Sequence, residues 1–483
     1  MAKTLHELLD EPGLPDLMIE GLALDSRKVG RGYLFAALKG AREDGLQYVP
    51  DAVARGARVI LLEKGAPRPA TDALVVEGAN ARRLLARLAA RFYDRQPAHL
   101  AAVTGTNGKS SVVDMFRQLA TLVGHRAASI GTLGVNVDGV PRPFGLTTPD
   151  PITLHEALAR LADEGVSHAA FEASSHGLKQ FRVDGARLQA AAFTNLSRDH
   201  LDYHETLEDY LYAKLRLVGE VLPPGATVVL NADSSFSAEF EAVAWARGMR
   251  IMTVGRRGSD ITLLMRTARP GGQRLHLRVG RQEFGVDLPL IGEFQAANAL
   301  VAAGLLIALG GRAAQVIPAL ARLNGVAGRL ERVGTTPSGA EVIIDYAHTP
   351  DGLANALGAL RPHAKGRLHL VFGCGGDRDR GKRPQMGAIA AEFAGRVYVT
   401  DDNPRSEDPA AIRGDIIAAC PSALEYDDRA AAIAAALAAA AAGDIVLIAG
   451  KGHETGQQVG GETLPFSDLE AARAALAAME GAA

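Results

Sequence analysis

The sequence predicts an α/β protein in which two doubly wound units, each a mostly parallel sheet with helices on both faces, stand behind a smaller N-terminal αβ module. Three observations carry this. Short apolar runs such as LHLVFG, RVYVT and DIVLIAG alternate with helical stretches along the last third of the chain. A glycine-bearing loop, VTGTNGKSS from Val103 to Ser111, stands between an apolar strand and an amphipathic helix. At 483 residues the chain has room for about three domains of roughly 150 residues each.

The N-terminal module is placed at 1–97. RGARVILL (55–62) ends a helix and starts a strand, and Ala81 to Tyr93 reads as a helix. DRQPAHL is a linker, because Pro97 suits the interior of neither element. The central unit, 98–328, opens with the strand LAAVT (100–104). The helix after the loop aligns Val112, Phe116, Leu119, Ala120 and Val123 on one face. Further strands are HAAFE (168–172), AAAFTN (190–195) and ATVVLN (226–231), and alternating runs between 261 and 289 predict antiparallel strands. Helices follow at about 295–309 and 312–323. The third unit, 329–483, has strands EVIID (341–345), LHLVFG (368–373), RVYVT (396–400) and DIVLIAG (444–450). In such sheets ligands bind beyond the carboxyl ends of the strands.

Composition excludes several classes. With 52 Lys+Arg against 55 Asp+Glu the net charge is −3, which leaves no electrostatic footprint for nucleic acid or an anionic membrane. Hydrophobic residues at 47% and charged residues at 22% are those of a folded globular protein. Two cysteines, Cys374 and Cys420, cannot build a disulfide framework and fit a reducing cytoplasm. Met1 to Pro12 has acids where a secretory leader would be apolar. No stretch supplies the ~20 apolar residues of a membrane span. AANALVAAGLLIALG and the alanine run Ala430 to Ala442 are read as soluble helices.

The loop is the strongest motif. Gly105 and Gly108 let backbone N–H groups converge on phosphate oxygens, and the following helix adds its N-terminal partial charge. Lys109 is placed for the β/γ phosphates and Ser110 for Mg²⁺. The first glycine of GxxxxGK[ST] falls at Val103, so this is the tighter GTNGKS form. The plainer reading, a turn with a solvated Lys109, does not explain the whole strand–loop–helix context. Glu172 ends a strand, where an acid near a phosphate loop is expected to ligate metal. Asp199 and His200 lie just beyond another strand; His200 is a borderline ligand, since Mg²⁺ prefers oxygen. A helix cap or surface ion pair is the alternative for each.

HETLEDYLYAKLRLV reads as a helix, with Thr206 and Asp209 as a capping-box-like start. Its apolar face holds Leu207, Tyr210, Leu211, Leu215 and Val218, and Lys214 falls on that same face. Burial there disfavours the charged amine. A neutral amine reacts with CO₂ to give a carbamate, an anion that can ligate Mg²⁺. A lysine whose stem packs while its head reaches water is the ordinary reading.

Four clusters mark strand ends in the third unit: Asp345 and His348 in IIDYAHTPDG; Arg378, Lys382 and Arg383 in VFGCGGDRDRGKRP; Asp402, Asn403 and Arg405 in TDDNPRSEDP; Lys451, His453 and Glu454 in AGKGHE. Cys374 has no base beside it and reads as a bystander. Arg405, after Asn403-Pro404, suits bidentate carboxylate capture. Its alternative is a surface pair with Glu407 or Asp408. Charges converging from several strand ends point to a site for a small zwitterion.

GTNGKS, EASSHG, NLSRDHLDYH, the Lys214 helix, GEFQAAN, GRLERV, DYAHTPD, GCGGDRDRGKRP, DNPR and GKGHE occur in the order found in Mur ligases, which the chain resembles over essentially its whole length. The resemblance implies a three-domain Mur ligase architecture: a UDP-binding domain at 1–97, a central P-loop ATP-binding domain at 98–328 and a Rossmann-like amino-acid-binding domain at 329–483. It implies an ATP-dependent carboxylate–amine ligase of peptidoglycan-precursor synthesis, and so of cell-wall growth, shape and division, releasing ADP and phosphate. DNPR resembles the version that adds meso-diaminopimelate to the D-Glu carboxylate of UDP-N-acetylmuramoyl-L-Ala-D-Glu.

By the same resemblance Gly105, Thr106, Asn107, Gly108, Lys109, Ser110, Ser111, Asn298, Arg329, Asp345 and His348 bind ATP. Leu24, Ser26, Ala41, Arg42 and Glu43 hold the UDP end. Thr147, Thr148, Ser174, Gln180 and Arg182 hold the muramoyl-dipeptide, and Leu146 departs from the asparagine of some members. Arg378, Asp402, Asn403, Pro404, Arg405, Gly450 and Glu454 form the diaminopimelate site. Two Mg²⁺ are implied, one on Ser110 and Glu172 and one on His200 and a carbamylated Lys214. Lys109, Lys214, His200 and Glu172 are the implied catalytic set, and His348 is a candidate base for the incoming amine. The implied protein is a cytoplasmic monomer without nucleic-acid or membrane partners. A lysine-adding or folylpolyglutamate ligase, a P-loop kinase and a non-catalytic nucleotide-binding regulator are the alternatives. DNPR and the long N-terminal module argue against the first two ligases. A kinase would release a phosphorylated product without a second amine.

Overall fold

The structure is a computed structural model that describes residues 2–11, 15–40, 43–142, 144–199, 203–269 and 271–481. Its main sheets follow one another along the chain. The first has four parallel strands, Gly21–Ala23, Tyr33–Ala36, Ala57–Glu63 and Leu74–Gly78, side by side in that order. The helix Ala81–Tyr93 closes one face, burying Leu85, Leu88 and Phe92.

The second sheet has eleven strands, with the loop-bearing strand His99–Thr104 near its middle. His168–Glu172 and Ala190–Phe193 flank that strand in parallel, with Glu172 opposite Val103 and Phe193 opposite Thr104. This register brings the loop, Glu172 and the segment after Phe193 to one edge. The expected antiparallel strands follow as Ile261–Arg269, Gly272–Val279 and Gln282–Leu288. Antiparallel additions at the other edge, Gly134–Val137 and Val140–Arg142, were not anticipated from sequence.

The helix Glu293–Ala308 is buried nearly all round, lying against the helix Lys109–Leu122 and the sheet. Its small residues allow this: a Cβ on Gly304 would come within 2.8 Å of a Val229 methyl. Among the described residues no helix is long and apolar enough to cross a membrane. The helix expected at 312–323 is shorter, Ala313–Ala319, and tightens into a 3₁₀ turn at Leu320–Arg322 after Pro318.

The third sheet has six strands, ordered Glu331–Thr335, Glu341–Asp345, Ile445–Ala449, Leu368–Phe372, Arg396–Val399, Leu424–Glu425. All pairs are parallel except the first, an edge strand that the sequence pattern did not reveal. The loops after Asp345, Phe372, Val399 and Ala449 share the carboxyl edge. A hairpin, Gly456–Val459 with Glu462–Pro465, leans on that edge.

Candidate active site

The phosphate loop is clasped by the neighbouring strand end. Thr106 N–H donates to Asn195 O at 2.8 Å, Asn107 N–H to Asn195 Oδ1 at 2.9 Å, and the Thr194 hydroxyl to Asn107 O at 2.7 Å. The amides of Thr106 and Asn107 are therefore engaged. The donors open to phosphate are those of the first helical turn, Lys109 to Ser111, which have no acceptor within the helix. Gly108 has φ +87°, and a Cβ there would lie 2.3 Å from Asn298 Oδ1.

Two lysines converge on one carbonyl. Lys109 Nζ donates to Gly105 O at 3.0 Å and Thr106 O at 2.8 Å, and Lys214 Nζ donates to Gly105 O at 2.7 Å. Lys214 is 1% exposed, and its amine lies 4.2 Å from the Tyr210 ring centre. It does not snorkel to water. Burial first, then the charge of Lys109, holds its pKa well below the ordinary lysine value. Burial also lowers Lys109, against the opposing influence of Glu172 and Asp199.

Glu172 is buried, and Thr132 N–H donates to its Oε1 at 2.8 Å. Thr132 also meets Thr147, hydroxyl to hydroxyl, at 2.9 Å. The Thr148 hydroxyl donates to Glu172 O and accepts from Ser174 N–H, so it stitches the strand end together. Thr132 and Asn195 escaped the sequence reading of individual roles, because their contribution is to hold other groups. Ser110 Oγ accepts from Arg329 Nη2 at 3.2 Å. A hydroxyl and a carboxylate are oxygen donors of the type a hard divalent cation takes, so Ser110 and Glu172 fit Mg²⁺. His200, Ala41 and Arg42 lie outside the described residues. Among the described residues no group of three or more His, Cys, Asp or Glu is arranged for a metal.

Asn107, Gly108, Ser111, Asn298, Arg329 and Asp345 line a cavity of about 70 Å³ between the second and third units. Asn107 Nδ2 donates across it to Asp351 Oδ2 at 2.9 Å, a contact the sequence did not foretell. Asp345 accepts from Leu330 and Ala347 N–H groups, and burial raises its carboxyl pKa to about 6. His348 is not a wall of this cavity. It donates Nδ1–H to Tyr346 O, and burial with nearby Lys382 brings its pKa to about 4. That makes it a poor proton acceptor for an ammonium group near 10.

A cavity of about 160 Å³ between the first and second units is lined by Leu24, Arg82, Asp150, Gln180 and Arg182, among others. Arg182 donates to Thr148 O and Gln180 Oε1. Ser174 caps the short helix Ser175–Lys179. Ser26 is buried, Glu43 accepts from the Tyr48 hydroxyl, and neither lines this cavity.

In the third unit, Asn403 Nδ2 donates to Glu454 Oε2 at 2.9 Å, while buried Lys451 donates to Asn403 Oδ1 and Glu454 Oε2. Asp402 is buried, and a Cβ on Gly450 would come 2.4 Å from its Oδ2. Gly376 lies against Pro404 O, which seats the turn; Arg378 is exposed nearby. The expected alternative for Arg405 does not form. Glu407 pairs with Arg380 and Arg383, and Asp408 caps the helix Pro409–Ile417. Arg405 instead donates to Gln458 Oε1 and Gly376 O, all neutral acceptors. Cys374 is buried against Met386, its thiol pushed up to about 12 by burial, which fits a bystander.

Comparison with known proteins agrees over the whole chain. Residues 103–306 match the Mur ligase middle domain, 328–452 the Mur ligase glutamate ligase domain, and 18–93 the Mur ligase family catalytic domain. A UDP-N-acetylmuramoyl-L-alanyl-D-glutamate–2,6-diaminopimelate ligase of Caulobacter vibrioides is 52% identical, covering 97% of this chain and 98% of that one. The enzyme of that name from Bradyrhizobium diazoefficiens is 54% identical, over 97% and 96%. A solved structure carrying that name superposes with a TM-score of 0.71 at 33% identity, over 99% and 100%. Folylpolyglutamate synthase of Mycobacterium tuberculosis, at 22% identity and TM-score 0.65 over 77% and 92%, shares the fold alone.

Proposed function

The chain belongs to the Mur ligase family, and from that premise we propose that it joins meso-diaminopimelate to the D-Glu carboxylate of UDP-N-acetylmuramoyl-L-Ala-D-Glu at the expense of ATP. The observation that carries the choice of amine is Arg405. It is partly buried, and its hydrogen bonds among the described residues go only to neutral acceptors, with no carboxylate bonded to it. Such a guanidinium suits a ligand carboxylate, the group diaminopimelate has and lysine lacks.

The inventory fits the chemistry. A carboxylate resists amine attack. An oxygen of the D-Glu carboxylate attacks the ATP γ-phosphorus, the bond to the ADP oxygen breaks, and an acyl phosphate forms. The neutral amine then attacks the acyl carbon, phosphate leaves, and the amine proton is released. Lys109 and the first-turn amides offset the anionic oxygens gathered in the first step. Ser110 and Glu172, and His200 with Lys214, would hold Mg²⁺, which would supply further positive charge to the phosphate oxygens.

Lys214 is carbamylated in the working enzyme. Its buried amine on the loop carbonyl, with a pKa held low, is what supports this. The neutral amine adds to CO₂ and loses a proton, and the carbamate anion would offset Lys109 and a bound Mg²⁺. Leu24, Gln180 and Arg182 hold the nucleotide-sugar peptide between the first two units, and Asn403, Gly450 and Glu454 hold the amino-acid end of diaminopimelate.

Phosphate release tests the assignment. ATP with Mg²⁺ should yield phosphate only when the nucleotide dipeptide and meso-diaminopimelate are both present, with L-lysine a poor replacement. Phosphate release without the diamino acid, or equal use of lysine, contradicts it.

A further inference from the structure

The arginine assigned to the distal carboxylate is held in place by a hairpin that no recognised motif includes. Arg405 has φ +53°, a backbone state that a residue with a side chain keeps only with outside support. The hairpin provides it. Arg405 N–H donates to Gln458 O at 2.9 Å, and Gly460 N–H donates to Arg405 O at 2.8 Å. Gln458 N–H also donates to Asn403 Oδ1 at 2.9 Å, which couples the same residue to the neighbouring recognition side chain.

The side chains continue the pattern. The guanidinium has five N–H donors. Nε gives its hydrogen to Gln458 Oε1 at 2.9 Å. Nη1 points to Gly376 O at 2.8 Å and Asn403 O at 3.4 Å. Nη2 alone has no partner among the described residues. Every hydrogen-bond acceptor is neutral, so the fork is fixed in direction without a carboxylate bonded to it, although Asp402, Glu454 and Asp377 lie near enough to act on its charge.

We propose that Gln458 is a specificity-setting positioning residue. By accepting the Nε hydrogen of Arg405, it turns the guanidinium so that Nη2 meets the distal carboxylate of the incoming diamino acid. An amide is required there, because a carboxylate at 458 would pair with Arg405 and compete with the substrate. The proposal rests on the reading of Arg405 as the residue that recognises that carboxylate.

Three variants of the full chain separate the two ideas: Gln458→Ala, Gln458→Glu and Arg405→Ala. Each is assayed by phosphate release with meso-diaminopimelate and with L-lysine, alongside the KM for ATP and for the nucleotide dipeptide, and by thermal melting. Gln458→Ala should raise the KM for meso-diaminopimelate about tenfold, the scale of one hydrogen bond to a charged group, with kcat and the other two KM values little changed. Gln458→Glu should raise it further while lysine is used at least as well as by the parent. If both leave the diaminopimelate-to-lysine ratio of kcat/KM intact while Arg405→Ala collapses it, the role of Gln458 is overturned and that of Arg405 stands. If all three KM values rise together, Gln458 is merely structural and the proposal is overturned. If Arg405→Ala leaves diaminopimelate kinetics unchanged, the underlying reading falls and this proposal falls with it.

Discussion

At the scale of single residues, burial sets the chemistry. Lys214 donates to Gly105 O beneath the phosphate loop, and exclusion of water favours its neutral amine over the charged form. Lys214→Ala should therefore reduce turnover by about 10²-fold or more, a typical loss for a charge placed at a transition state. Short carboxylic acids should restore part of it by standing where the carbamate stood; an unimpaired variant contradicts a role for that group. Asp345 shows the converse effect. Its folded carboxyl pKa of about 6 lies above the ordinary 3.8, so the folded state binds the proton more tightly. The penalty is absent below about pH 4, grows as pH rises, and is complete above about pH 6, at up to ~3 kcal/mol. Urea unfolding of the parent and of Asp345→Asn between pH 4 and 7 checks this: the parent should lose stability relative to the variant as pH rises, and parallel curves contradict it.

At the scale of elements, close backbone approaches build the site. The loop can press against the helix Glu293–Ala308 because position 108 is glycine at φ +87°. Gly108→Ala costs about 1–2 kcal/mol in backbone conformation alone, besides driving its Cβ into Asn298. The KM for ATP should rise at least tenfold while the fold persists by circular dichroism; unchanged ATP kinetics would show that the loop does not need this contact. Legibility also divides here. Apolar strands such as His168–Glu172, and the helix from Ala81 to Tyr93, announce themselves by period and by flanking glycine or proline. The hairpin at 456–465 does not, because GQQV and ETLP contain only Val459, Leu464 and a proline to mark an apolar face. The role of Gln458 is hidden for the same reason. Asn195 and Thr132 are invisible as functional groups because register, not residue type, brings them to the loop and to Glu172.

At the scale of the whole molecule, the contacts between units differ in kind. Asp184 is 4% exposed and pairs with Arg83 of the first unit at 2.8 Å and Arg216 of the second at 2.6 Å. The second and third units are joined by Asn107–Asp351 and Ser110–Arg329 and, at the surface, by Arg198 and Asp379 at 3.0 Å, with that arginine side chain 47% exposed. Removing one member of a buried pair costs up to about 3–5 kcal/mol, less here because Arg83 and Arg216 both keep Glu220 as a partner, whereas an exposed pair is worth about 0–1 kcal/mol. Asp184→Ala should lower the urea midpoint substantially and expose the junction near Ala81–Tyr93 to proteolysis; Arg198→Ala should barely change either. Equal effects would contradict this division of labour. The pairings of Asp184 and Asp379 join residues 32 to 181 positions apart, so no local pattern in the sequence could reveal them.

The central claim is that the D-Glu carboxylate is activated by phosphoryl transfer before the amide forms. The nucleotide dipeptide labelled with ¹⁸O in that carboxylate, turned over with ATP, Mg²⁺ and meso-diaminopimelate, tests it most directly. One labelled oxygen should appear in the released phosphate as the peptide lengthens by one residue; a lengthened peptide with unlabelled phosphate, or no lengthened peptide at all, would contradict the account.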